Sequence, residues 1–87
     1  MTNLMLPMLK LLLLKNDPST YLMGTLTELD EEPSLLLEKC FRVAPDGTLS
    51  KFPLHTDQRD VFLTLDLIFT ILDPSTALVD QYKSMVS

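Results

Sequence analysis

The chain has 87 residues, 46% of them hydrophobic and 22% charged. It is too apolar to stay disordered and too short for a second domain. Seven Lys+Arg against twelve Asp+Glu give a net charge of −5, which argues against strong general attraction to phosphate or anionic lipid.

A lone Cys40 and a lone His55 exclude an internal disulfide and a Cys/His zinc cluster. A reducing, cytoplasmic setting is therefore expected, with no metal and no cofactor. A domain this small buries a modest share of its surface, and oligomerisation is the natural remedy.

Residues 1–7 read as an N-terminal flap. The apolar run that follows is interrupted by Pro7, Lys10 and Lys15, so no membrane span is expected. Thr2 and Asn3 give no basic start and no small-x-small site follows, so no signal peptide is expected either. Met8 to Lys15 has the length and composition of a buried strand. The turn formers Asn16 to Thr20 then lead into a β-rich segment, Tyr21 to Leu29, and the two make a hairpin. In the second strand Leu22, Gly24, Leu26 and Glu28 share one face, with Tyr21, Met23, Thr25, Thr27 and Leu29 on the other. Gly24, inside the strand, marks a bulge or sharp bend.

The acidic turn Asp30 to Ser34 precedes a third strand, Leu35 to Val43, and Ala44 to Thr48 is a further turn. Leu49 to Arg59 is mixed and polar, a variable excursion. Asp60 to Leu72 is longer than one ordinary strand and divides into two around Leu65-Asp66, for five strands in all. Asp73 as cap and Pro74 at the first helical position start a short helix, whose apolar face is Leu78, Tyr82 and Met85. The expected organisation is a flap over 1–7, a β domain over 8–72 and a C-terminal helix over 73–87.

The pattern resembles the Sm-like (LSm) family, as a diverged bacterial or phage-type member. Its first motif, Gly-x-Leu-x-x-x-Asp-x-x-Met-Asn-x-x-Leu, is matched by Gly24, Leu26, Asp30 and Leu37, with Pro33-Ser34 in place of Met-Asn. Its second motif corresponds to Val61 through Leu72, where Thr64-Leu65 stands in place of Arg-Gly. The resemblance implies a mainly β fold, a small, strongly bent, five-stranded antiparallel barrel of SH3 type with the short helix appended. It also implies a ring of about five to seven subunits, joined edge to edge through strands 61–65 and 67–72.

The family binds RNA near the pore, and the corresponding positions here are Asp30, Glu32, Ser34 and Thr64. Glu32 offers no stacking surface and repels phosphate, Thr64 lacks a guanidinium plane, and Ser34 reads fewer base edges than asparagine. About six copies would carry a ring charge near −30.

Two readings follow. One is an RNA-binding ring with a degenerate site, using lateral or distal cations such as Lys10, Lys15, Lys39 or Arg42. The other is a homo-oligomeric assembly ring that binds a protein partner. Repeated around a pore, Glu31 or Glu32 would form a carboxylate ring suited to a cation or a basic segment. The plain alternative for Glu28, Asp30, Glu31 and Glu32 is a solvated turn. His55 reads as an exposed loop residue and Cys40 as a packed or half-exposed thiol. With no nucleophile and base pair, phosphate loop or metal set, the chain is not expected to be an enzyme.

Overall fold

Leu9 and Leu11 point to one side of the first strand and Leu12 and Leu14 to the other, and both sides are covered. That explains why β1, Met8–Leu14, is an unbroken apolar run rather than an alternating one. The computed structural model describes residues 8–86; the flap expected over 1–7 lies outside them.

Five further strands follow: β2 (Asp17–Glu28), β3 (Leu35–Val43), β4 (Leu49–Lys51), β5 (Val61–Leu63) and β6 (Ile68–Leu72). A 3-10 turn at Leu65–Leu67 joins the last two, and helix α1 spans Thr76–Val86. All pairings are antiparallel, in the order β4-β3-β2-β1-β6, with β5 also on β3. The chain is therefore mainly β, a six-stranded sheet that is not closed, with one short C-terminal helix.

Several expectations are corrected. There are six strands rather than five, because Leu49–Lys51, at the start of the expected excursion, pairs with Phe41–Val43. The first turn shrinks to Lys15 and Asn16, since Asp17 already belongs to β2. The Asp17 carboxylate accepts the Ser19 and Thr20 hydroxyls, so these polar groups satisfy one another within an extended strand. The turn before β4 matches expectation, with Gly47 at φ 89° and the Thr48 N–H donating to Asp46 Oδ1 at 3.0 Å.

The bend falls where glycine stands in β2. Met23 pairs with Phe41 but Thr25 pairs with Glu38, so one extra residue of β3 is accommodated opposite Gly24. Lys39 takes φ 53° there. The extra residue reverses the facing of β3. Leu37 and Phe41, four apart, would share a face in a regular strand. Instead Leu37 joins Leu12, Leu22, Leu35, Cys40 and Ile68, while Phe41 joins Leu11, Met23, Val43, Leu49 and Tyr82 on the opposite side.

Helix α1 covers that second side. Its cap is Ser75, whose Oγ accepts the Leu78 N–H at 3.2 Å; the expected cap, Asp73, instead ion-pairs with Lys10. The packed face is Leu78, Val79, Tyr82 and Val86, and Met85, expected in it, is 46% exposed. The stripe turns toward Val79 and Val86 because it is centred on Tyr82. The Tyr82 ring meets Phe41 edge-on, with centroids 5.6 Å apart, and its hydroxyl donates to the Lys39 carbonyl at 2.7 Å.

Two carboxylates make stability depend on acid. Hydroxyl bonds from Thr20 and Ser19 hold Asp17 below the ordinary aspartate range, and the Thr48 backbone N–H does the same for Asp46. A lowered folded pKa gives stability that is present above the unfolded value and lost as pH falls through the folded one. The urea midpoint should therefore hold from neutrality down to about pH 4 and fall below it. In the Asp17→Asn/Asp46→Asn double variant that acid loss should be shallower, and an unchanged profile would contradict this assignment.

Candidate functional site

The residues singled out from the sequence gather at one end of the sheet. Leu26 lies directly opposite Leu37 on β2 and β3, and the loop between these strands carries Asp30, Glu31 and Glu32, all exposed. A bond from the Leu29 N–H to the Ser34 carbonyl, 2.7 Å, closes the loop. Inside it the Glu32 carboxylate accepts the Ser34 N–H at 3.0 Å and the Ser34 hydroxyl at 3.3 Å. Strand β5 pairs Leu63 with Leu35; Ser34 precedes Leu35 and Thr64 follows Leu63, both just outside the strands. Asp30, Glu32 and Ser34 thus share one loop, and Thr64 follows the strand that pairs with the residues just after it.

What they present is carboxylates and hydroxyls. Glu32 and Ser34 are engaged with each other, and neither a ring nor a cation stands among the four. Such a surface repels phosphate and offers no plane for a base. The candidate cations are not gathered. Lys10 pairs with Asp73, Lys15 sits in the β1–β2 turn, Lys39 at the bulge and Arg42 further along β3. His55 is exposed in the loop after β4, as expected.

Cys40 is fully buried rather than half-exposed. Burial pushes its thiol up to about 12, against a smaller lowering effect of the nearby Arg59 charge, so the thiolate is essentially absent at neutral pH. Arg59 itself carried no sequence signal. Its guanidinium donates to the Pro53 carbonyl at 3.1 Å and the Thr56 carbonyl at 2.7 Å. Its own carbonyl accepts the Cys40 N–H at 2.9 Å. The excursion expected to vary is thereby clasped to β3.

The larger surface feature is apolar. Phe62 on β5 is 57% exposed and Phe69 on β6 is 65% exposed, and Leu65, Leu67, Ile71 and Leu72 are exposed with them. Among the described residues β5 pairs only with β3 and β6 only with β1, so each leaves one edge free. A mostly apolar hollow of about 240 Å³ opens beside them, lined by Leu26, Leu35, Leu65 and Ile71, with Lys10 and Glu28 also in its wall. Among the described residues no helix is long and apolar enough to cross a membrane.

A family model described as a family of unknown function, DUF6561, matches residues 7–87. No curated protein matches the chain.

Proposed function

The chain belongs to the DUF6561 family, and from its own geometry we propose that it is a non-enzymatic, Sm-like assembly module. In this reading copies pair β5 of one with β6 of the next into a ring of about five to seven, and the ring binds protein rather than RNA. In this reading the bent sheet corresponds to the SH3-type barrel of Sm-like proteins, working in a reducing, cytoplasmic compartment.

The observation that carries the reading is the pair of apolar free edges. They are reached from different strands: β6 ends the strand order on β1, and β5 lies on β3, the strand that also carries β4. An exposed apolar edge strand is an aggregation hazard unless it is paired, and two different edges joined head to tail close into a ring. RNA at Asp30, Glu32, Ser34 and Thr64 is the weaker reading, because the loop is anionic and offers no stacking surface.

The test is an edge variant. Phe69→Lys places a charge on the free strand without touching either buried cluster, and it is expected to reduce the solution mass to one 9.9 kDa chain while the circular dichroism stays unchanged. Uridine-rich or adenine-rich RNA is expected to add no mass to the unmodified protein at about 0.15 M salt. An RNA complex that weakens steeply with salt would replace the assembly reading with the RNA-binding one.

A further inference from the structure

The hollow beside β5 and β6 is the uncovered end of one of the two buried clusters. Leu35, in its wall, is fully buried in the cluster that holds Leu12 and Ile68, and Leu26 packs against the same cluster. Paired residues face the same side of a sheet, so Ile71, opposite Leu12, faces that cluster too. Yet Ile71 is 39% exposed where Leu12 is 0% exposed, and Met8 and Leu65, also in the wall, are 55% and 54% exposed. The Lys10 ammonium is taken up by Asp73, which leaves the accessible wall apolar apart from Glu28. Met8, Lys10 and Leu12 alternate onto this face of β1, and the same spacing of two continues ahead of them in Leu6 and Leu4.

We propose that the chain's own segment Leu4-Met5-Leu6, outside the described residues, covers this hollow, with Leu4 and Leu6 laid against Met8, Leu26, Leu65 and Ile71. Reach favours it. The segment leads into Met8, which is already in the wall, and at no more than about 3.6 Å per residue Leu4 lies within about 14 Å of Met8. Composition favours it as well, because residues 1–7 carry no charged side chain and an apolar wall takes an apolar occupant without burying a charge. Pro7, between the segment and β1, has no N–H to leave unpaired where the chain departs from the strand. Attachment to Met8 also gives the segment a high effective concentration at the hollow, which a separate molecule lacks. It does for this cluster what α1 does for the other. The proposal does not need the ring, since neither Phe62 nor Phe69 stands in the wall.

The experiment is nuclear magnetic resonance of the full chain, labelled at the methyl groups of Leu, Ile and Met. Through-space contacts from the Leu4 and Leu6 methyls to those of Met8, Leu65 and Ile71 are expected. In a mixture of two differently labelled populations they are expected within one copy only. The double variant Leu4→Asp/Leu6→Asp is expected to lose these contacts and to lower the folded-to-unfolded ratio at a fixed urea concentration by about tenfold or more. Thr2→Asp/Asn3→Asp, which adds the same charge to the same segment, is expected to change neither. Absent contacts, or a ratio unmoved by the leucine changes, would overturn the proposal. So would contacts that run between copies, whether from Leu4 and Leu6 or from Phe62, because a second copy would then be the occupant. The same contacts are expected in Phe69→Lys, which lacks the ring edge, so failure here and failure of the ring are distinguishable.

Discussion

Replacing Tyr82 with alanine is expected to remove a large part of the stability of the domain. Tyr82 is the one fully helix-borne member of the cluster formed with Leu11, Met23, Phe41, Val43 and Leu49. It supplies the edge-on ring contact to Phe41 and the hydroxyl that satisfies the Lys39 carbonyl at the bulge. Truncating a buried aromatic side chain to alanine costs about 3–5 kcal/mol, against a total of only about 5–15 kcal/mol for ordinary domains. Helix α1 then has only the half-buried Leu78, Val79 and Val86 to hold it. Urea unfolding followed by circular dichroism is expected to show a large fall in midpoint with early loss of helix signal. Tyr82→Phe, which keeps the ring, should fall by only about 1 kcal/mol. Equal effects of the two substitutions would mean that the ring contributes nothing.

The second large effect is expected at Gly24. A Cβ built there meets the Glu38 carbonyl oxygen at 2.6 Å and Leu37 Cγ at 2.9 Å. The first is backbone and cannot swing aside, and the second belongs to a fully buried side chain. Gly24→Ala must therefore move β3 away from β2 at the bulge, and overpacking of this kind costs about 1–3 kcal/mol. The ordinary gain from replacing a strand glycine by alanine, through reduced freedom of the unfolded chain, has the opposite sign and is smaller. A variant as stable as the parent would show that the bend does not depend on this close approach.

The bend at Gly24 was legible because glycine is out of place in a strand interior and invites a physical reason. The extra β3 residue that the bend serves was not, since Lys39 at positive φ has no signature in composition. The reversal it causes, with Leu37 and Phe41 on opposite faces, was therefore hidden as well. Strand β4 escaped because three residues with one buried side chain show no alternation. Without β4 nothing placed Ser50 opposite Arg42 or Leu49 opposite Val43. The helix was expected in the right place, yet its cap moved from Asp73 to Ser75 because a lysine distant in sequence claims Asp73.

For the candidate site, the turn Asp30 to Ser34 and the strand before Thr64 were legible, and the structure pairs that strand's Leu63 with Leu35, the residue after the turn. The apolar character of segments 61–65 and 67–72 was also plain. What the pattern lacked was their exposure, because an apolar run reads the same whether it is covered by its own chain or by a neighbour. Phe62 and Phe69, exposed on strands that each keep one free edge, supply that missing information.

In the proposed ring those edges meet in a second copy. Light scattering on a sizing column measures it most directly, with the unmodified chain at micromolar concentration. A single species of several 9.9 kDa subunits is expected, with a mass that does not change on dilution within that range. A plain 9.9 kDa monomer would contradict it.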